Sequence, residues 1–549
     1  MKSKLIALTG ALAPALPLAG QEKPNIIFFL VDDYGWTDSE VAYGGEPCEH
    51  NQWYRTPNML ELARRGVVFS NAYACPVSTP TRTSIMSGMS SLNSHITNWT
   101  SMAKDEPSDA VGGTQGAVAF VQKDSDVFLR PQWNINGLSP EEGVEGTQAA
   151  TPLVELLKRN GYFTIHIGKM HLASAGTPGS SPYNWGFITQ VAGTNAGLPN
   201  SYQGEQNFGN TPERWNMAAV QDLTQYYGHD IFLTEALTQE ALRALDYPVS
   251  KGQPFYLYMS QYATHTPVQK DRRFFKHYKD IGLDDGQAKF ASMVEGVDKS
   301  LGDLLEYLDR KGITDNTVII FMGDNGGNAD AKGRGGERHT QNKPLREGKG
   351  SCYEGGIRVP MMFCYPGRTA PGSRVDTPVV PEDLFPTILE IAGVEPGETL
   401  QKVDGLSWLP MLCGSGQLPE SRPIVFHYPH QWKVDYKPEV DFLSTVIVDG
   451  WKLVYVMMNA VEGVRVDPGL GKGAAPGIGE SPLPGVRSGA LELYNLKEDI
   501  GESTNVAGLH PEKVRELAKI LSSRLREADA SMPTVRSTGL PVPMPDELL

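Results

Sequence analysis

Ser78, Pro80 and Arg82 form a compact Ser-x-Pro-x-Arg run inside VSTPTRTSIMSG, Val77 to Gly88, at what reads as the mouth of a helix. Four hard oxygen donors stand elsewhere: Asp32 and Asp33 close the apolar run NIIFFLVDD, and Asp324 and Asn325 lie in GDNGG. With no His or Cys among them, they suit Ca²⁺ or Mg²⁺ rather than zinc. An ion held this way leaves positions open for oxygens of a nucleophile and a substrate. Arg82, Lys169, His171, His265 and Lys349 supply the cationic counterpart, able to neutralise a tetrahedral oxyanion and to protonate a leaving group. Singly, each feature has an ordinary explanation. A DD pair after a strand is a turn or a cap, DNGG is a turn signal, His265 in THTP is a loop histidine, and Lys349 in GKG is a solvated lysine. A phosphate-binding loop is excluded there, because Lys343 stands five residues before Gly348 where glycine is required. The information lies in the set.

The elements that must position these groups alternate along the chain. NIIFFLVDD reads as a strand buried on both faces of a parallel sheet, and TPNMLELARRG follows as a helix with Thr56 as N-cap, Pro57 at the first helical position and Gly66 as stop. TPLVELLKRNG precedes the strand YFTIHIGK, IFLTEALTQEALRAL precedes PFYLYMSQYATH, and FASMVEGVDKSLGDLLEYLDRKG precedes NTVIIFMGDNGG. This alternation predicts an α/β sandwich with a large, mostly parallel sheet between helices. Ligands of such sheets bind beyond the carboxyl ends of the strands, where Asp32, Asp33, Lys169, His171, His265, Asp324 and Asn325 all fall. After about residue 415 the pattern changes to RPIVFHYP, a hairpin STVIVDGWKLVYVM turning at Asp449-Gly450, then LELYNLKED and a final helix HPEKVRELAKILSSRLREA. A smaller C-terminal unit, an antiparallel sheet with one helix, is expected over 416–549 after a catalytic unit over 21–415. Residues 467–485, rich in Gly and Pro, read as a surface loop.

The chain has 549 residues and a formal net charge of -15, from 49 Lys and Arg against 64 Asp and Glu. Nucleic acid is excluded as a partner, and an anionic substrate has to be held by a local cluster of cations. Residues 1–20 read as an export signal, a charged MKSK followed by an apolar stretch broken by prolines, so a periplasmic or secreted protein with no membrane span is expected. The five cysteines, Cys48, Cys75, Cys352, Cys364 and Cys413, leave room for one bridge but not for a disulfide framework. NWT at Asn98 matches a glycosylation acceptor.

The ordered motifs PNIIFFLVDD, STPTRTSIMSG, GYFTIHIGKMHL, THTP, GDNGG, GKGSCYEGGIRVP and ELYNLKEDIGES resemble the type I, formylglycine-dependent sulfatases of the alkaline phosphatase superfamily over nearly the whole chain after residue 20. In that family the S/C-x-P-x-R signature directs oxidation of its first residue to formylglycine. The resemblance implies that Ser78 is that residue, of the serine type matured in bacteria by a radical enzyme. Cys75 does not fit the signature, because Val77 stands where it needs proline, and Thr81 departs mildly from the small residue usual before the arginine. The resemblance further implies one Ca²⁺ bound by Asp32, Asp33, Asp324, Asn325 and residue 78. It gives Arg82 the orientation of residue 78 and of its geminal diol, and Lys169 and Lys349 the sulfate oxygens. His265 is expected to protonate the departing sugar oxygen and His171 to help deprotonate the diol, two roles that could be exchanged. The partners implied are a sulfated carbohydrate and the formylglycine-generating maturase.

SLNSHITNWT, Ser91 to Thr100, is reminiscent of bacterial sulfatases acting on 4-sulfated galactose or N-acetylgalactosamine, and His95, Trp99, Arg338 and His339 are candidates for a sugar subsite beside an equal case for surface and packing roles. A phosphatase or phosphonate monoester hydrolase on the same fold is the alternative reading. Such relatives use a Ser or Thr nucleophile with zinc and histidine ligands, so the oxygen-only ligand set and the intact Ser-x-Pro-x-Arg run favour the sulfatase. A non-catalytic sugar-binding descendant is ranked last, because it would have lost part of the polar set and none is missing.

Overall fold

The computed structural model describes residues 23–106, 108, 127–129, 131–210, 218–328, 342–419, 421–431, 441–461 and 489–549. The N-terminal twenty residues, the loop 467–485, Arg338 and His339 lie outside the described residues. Eight strands form the main sheet: β1 (Asn25–Val31), β2 (Val67–Phe69), β3 (Phe163–Gly168), β4 (Thr189–Val191), β5 (Phe255–Ser260), β6 (Thr317–Gly323), β7 (Met361–Cys364) and β8 (Ser373–Val375). Their spatial order is β8-β2-β7-β6-β1-β5-β3-β4, and every pairing is parallel except the two made by β7. The expected large, mostly parallel sheet is therefore present, with one antiparallel strand inside it.

β1 shows why an unbroken apolar run belongs here. Its side chains alternate between the faces, Ile27, Phe29 and Val31 on one and Ile26, Phe28 and Leu30 on the other, and helices cover both. The first face packs on α1 (Pro57–Arg65), α4 (Leu233–Ser250) and α5 (Asp285–Lys311); the second packs on α2 (Ser78–Ser87), α3 (Leu153–Arg159) and α6 (Leu384–Ile391). Burying one such Phe, Ile or Leu contributes about 1.5–3 kcal/mol over leaving it in water. The result is a three-layer sandwich whose central strands deliver their carboxyl ends to one rim.

Two local expectations change. Thr56 flanks α1, but its hydroxyl accepts the Glu40 N–H at 2.9 Å; the free N–H groups of Asn58 and Met59 donate instead to the Asp298 carboxylate of α5, at 3.3 and 2.8 Å. Asn98 has no exposed surface, its side-chain oxygen accepting from the Trp99 N–H at 2.9 Å and the Tyr428 hydroxyl at 3.4 Å. It cannot carry a glycan in this fold. All five cysteines are free thiols.

Toward the C-terminus β9 (Ile424–Tyr428), β10 (Leu443–Val448), β11 (Trp451–Val456) and β12 (Leu491–Asn495) form an antiparallel sheet in sequence order. Asp449 and Gly450 turn the β10–β11 hairpin with positive φ, 53° and 84°, as a two-residue primed turn requires. One face of this sheet packs on α7 (Pro511–Glu527) through Val446, Leu453 and Leu493 against Leu517 and Leu521. The other packs on Tyr73, Cys75 and Val77 ahead of α2 and on Tyr353 and Ile357. Among the described residues no helix is long and apolar enough to cross a membrane.

Candidate active site

β1 ends at Val31, so Asp32 and Asp33 begin the loop beyond it; β6 ends at Gly323 and delivers Asp324 and Asn325 beside them. The Asp33 N–H donates to Asp324 Oδ1 at 3.2 Å, and the Asn325 amide donates to Asp33 Oδ1 at 2.9 Å. Ser78 is the first residue of α2 and is buried. Its hydroxyl lies 3.3 Å from Asp32 Oδ1 and 3.1 Å from Asn325 Oδ1 and accepts from Lys169 Nζ at 3.1 Å. Segments more than 240 residues apart in the chain meet on one hydroxyl.

The cations answer the acids in number. Lys169 Nζ sits 2.6 Å from Asp32 Oδ2, Lys349 Nζ pairs with Asp33 Oδ1, and Arg82 grips Asp324 Oδ2 through Nε and Nη2 at 2.9 and 2.7 Å. Arg82 also donates to Ser260 Oγ at 2.6 Å and to the Lys169 carbonyl at 3.1 Å. Its hydrogen bonds hold Asp324 and the end of β3, and none of them goes to the unmodified Ser78 hydroxyl. Ser260, the last residue of β5, was not foreseen in the sequence, where nothing but its strand-end position sets it apart.

Burial first, and the Asp324 charge second, push the Asp32 carboxyl up to about 8 against the pull of Lys169. Burial also draws the Lys169 ammonium down to about 8, against the attraction of Asp32. Three crowded carboxylates with an amide and a hydroxyl oxygen among them are a donor set that a hard divalent cation fits, because the cation relieves the mutual repulsion that burial amplifies. His265 joins this set: its Nε2 lies 3.7 Å from Asp33 Oδ2, and Asp32, Asp33 and His265 present ligand atoms within 4.8 Å of one another. An imidazole therefore stands beside a ligand set read from the sequence as oxygen only.

Both histidines are held by a carbonyl. His265 Nδ1 lies 2.9 Å from the Thr266 carbonyl oxygen, and His171 Nε2 lies 3.1 Å from that of Thr100. A carbonyl only accepts, so these nitrogens carry the hydrogens, and the neutral rings leave His265 Nε2 and His171 Nδ1 bare. Burial lowers both, His265 to about 3 despite Asp33, and His171 well below the usual range with Lys169 adding to the effect. His171 Nδ1 is buried and makes no hydrogen bond, so none joins it to Ser78 in the serine form. Of the proposed sugar-subsite residues, His95 and Trp99 are half-buried on the stretch after α2, and Trp99 packs against the Tyr73 and Tyr428 cluster.

A family model described as Sulfatase matches residues 24–394, and a second, described as N-sulphoglucosamine sulphohydrolase, C-terminal, matches residues 348–464. A Formosa agariphila protein named Sulfatase is 26% identical, the match covering 96% of this chain and 93% of that protein. The human N-acetylgalactosamine-6-sulfatase is 29% identical over 74% of this chain and 68% of its own length. Among solved structures, Ps i-CgsB in complex with k-i-k-neocarrahexaose superposes with a TM-score of 0.63 at 25% identity, covering 92% of this chain and 93% of that one. The first match spans well over half of the chain and carries every one of these charged groups inside it, and family membership implies a formylglycine and a metal ion where the acids and Ser78 meet; the chain belongs to the sulfatase family of sulfuric ester hydrolases.

Proposed function

We propose that the enzyme hydrolyses sulfate esters on carbohydrates, using residue 78 after oxidation of its serine to formylglycine and one Ca²⁺ held by Asp32, Asp33, Asp324, Asn325 and residue 78. The observation that carries this reading is the convergence of Asp32, Asn325 and Lys169 on the Ser78 hydroxyl, all within 3.3 Å at the start of a buried helix. The hydrated aldehyde supplies two geminal oxygens, one to attack sulfur and one to expel sulfate by carbon–oxygen cleavage, whereas an unmodified serine would be left as a stable alkyl sulfate.

The chain's own groups do the rest. Lys169 and Lys349 bind the sulfate oxygens, and Arg82 keeps Asp324 aimed at the ion site by its two-pronged grip. His171, with a bare Nδ1 in a buried setting, takes a proton from residue 78. His265, beside Asp33, delivers one to the departing sugar oxygen. The Ser91–Thr100 stretch favours a 4-sulfated galactose or N-acetylgalactosamine, while relatives named for N-acetylgalactosamine 6-sulfate favour the 6-isomer. Assay of both isomers side by side separates the two.

The decisive experiment is mass spectrometry of the tryptic peptide ending at Arg82, on enzyme from a host that oxidises serine. Loss of two hydrogens at Ser78, trapped by a carbonyl reagent, is the expected result, with Ser78→Ala folded but without turnover. An unmodified Ser78 in active enzyme would overturn the assignment.

A further inference from the structure

Between the main sheet and the C-terminal sheet lies a second set of buried charges that no step above uses. Lys452, on β11, has no exposed surface; its ammonium lies 2.9 Å from Glu354 Oε1 and 2.7 Å from Glu502 Oε1. Glu502 Oε2 accepts the Glu354 backbone N–H at 2.7 Å, and Glu354 Oε2 accepts from Arg358 Nε at 2.6 Å and from the Tyr73 hydroxyl at 3.1 Å. Arg358 in turn donates to the Ser70 carbonyl at 2.9 Å and to Asn71 Oδ1 at 2.5 Å. A single ammonium thus ties the C-terminal sheet to the short helix Glu354–Ile357.

That helix is wedged against the active site with no slack. The Gly350 N–H donates to the Pro76 carbonyl at 2.8 Å, two residues before Ser78, and the Lys349 N–H donates to the Gly327 carbonyl at 3.2 Å, two residues after Asn325. The Gly326 N–H donates to the Gly356 carbonyl at 3.0 Å. A Cβ on Gly326 would stand 1.8 Å from the Gly355 carbonyl oxygen, and one on Gly355 2.2 Å from that of Glu347, so these backbones touch directly. A shift of Glu354 has nowhere to be absorbed before it reaches Lys349, Pro76 and Asn325.

Cohesion between the two sheets does not call for this arrangement. An apolar layer, Tyr73, Val77 and Ile357 against Val454, Val456 and Tyr494, already joins them, and well-packed hydrophobic groups in place of a buried ion pair are often as stable or more so. What charges add is direction, since an ammonium between two carboxylates fixes both.

We propose that Lys452 is a positioning residue of the reaction: through Glu354 it holds the 349–356 segment so that Lys349 and the approach to Ser78 keep their catalytic geometry. This rests on the reading of Lys349 as a sulfate ligand and residue 78 as nucleophile. Misplacement of a reacting group by about 1 Å can cost on the order of 10²-fold in rate.

The test compares wild-type enzyme with Lys452→Met/Glu502→Gln, which removes the bridge and leaves Glu354 paired with Arg358. Turnover of a sulfate ester is normalised to formylglycine content measured with a carbonyl reagent. The expected result is a folded variant whose kcat per labelled site falls about 10- to 100-fold while KM moves little. Unchanged kcat per labelled site, with only a lowered Tm, would reduce the network to a structural role and overturn the proposal. Should the double variant not accumulate as folded protein, Lys452→Arg decides. It keeps the charge but replaces the compact ammonium with a larger, planar guanidinium that cannot reproduce both contacts in the same geometry, so a several-fold lower kcat at wild-type Tm supports positioning, and wild-type kcat overturns it. An inactive or unoxidised wild-type enzyme would instead refute the underlying reading before any variant is compared.

Discussion

A histidine delivers a proton only from a nitrogen that holds one, and the ring of His265 is set so that the nitrogen facing Asp33 holds none in the neutral state. Asp33, a carboxylate 3.7 Å away, pulls toward the imidazolium, but burial outweighs it and keeps the resting ring neutral, so donation draws on the small protonated fraction. The need for that proton depends on the leaving group. A sugar alkoxide departs poorly without it, whereas a nitrophenolate is stable on its own. His265→Ala is therefore expected to lower kcat on a sulfated sugar by about 10²- to 10⁴-fold, the usual range for loss of a general acid, and to lower it far less on p-nitrophenyl sulfate. Parallel rate measurements on the two substrates check this. Equal losses on both would show that His265 serves the ion site or the sulfate rather than the leaving oxygen.

At the scale of elements, what the sequence made legible is the rim. Apolar runs that end in acid or amide, such as β1 into Asp32 and Asp33 and β6 into Asp324 and Asn325, declare both a buried strand and the chemistry at its end. Contacts between remote segments were not legible, and the N-terminus of α1 shows why: Thr56 fits the local cap preference, yet Asp298, 240 residues further on, takes the free N–H groups. Ser260 and the Thr100 carbonyl were hidden for the same reason, since polar atoms at ordinary positions gain a role only when another strand arrives. The Asp298 cap makes a prediction about pH. Burial, outweighing its amide contacts, pushes this carboxyl up to about 7, while in the unfolded chain it ionises near the ordinary value of about 3.9. Between those values the folded protein keeps a proton that the unfolded chain has released, so this group's contribution to stability falls as pH rises and levels off above about 7. The urea midpoint of wild type relative to Asp298→Asn is expected to shrink from pH 4.5 to pH 7.5. A difference that stays flat or widens would show that the carboxyl is ionised throughout.

The whole molecule carries a formal charge of -15, and its family acts on sulfate esters, which are themselves anions. Its long-range field opposes binding, so the pocket must supply a local reversal of sign. In the chain alone it does not: Asp32, Asp33 and Asp324 are each matched by Lys169, Lys349 and Arg82, and the cluster is close to neutral. A divalent cation on the same acids leaves the cluster with two positive charges in excess and gives an anion a reason to enter. Chelation is thus expected to act on binding as well as on turnover, raising KM and abolishing kcat on prolonged dialysis against EGTA, with Ca²⁺ restoring both. Because the ion binds only the folded chain, saturation at about a hundred times Kd stabilises by about 2.7 kcal/mol, enough to move Tm by a few degrees in a protein of this size. Ser78→Ala separates the two effects. It lacks the proposed nucleophile but keeps three carboxylates and Asn325, so its Tm should still fall with EGTA and recover with Ca²⁺ while turnover stays absent. Recovery with Mg²⁺ and not Ca²⁺ would reassign the ion, and a Tm indifferent to chelator in both proteins would mean that the acids at the ends of β1 and β6 hold no ion at all.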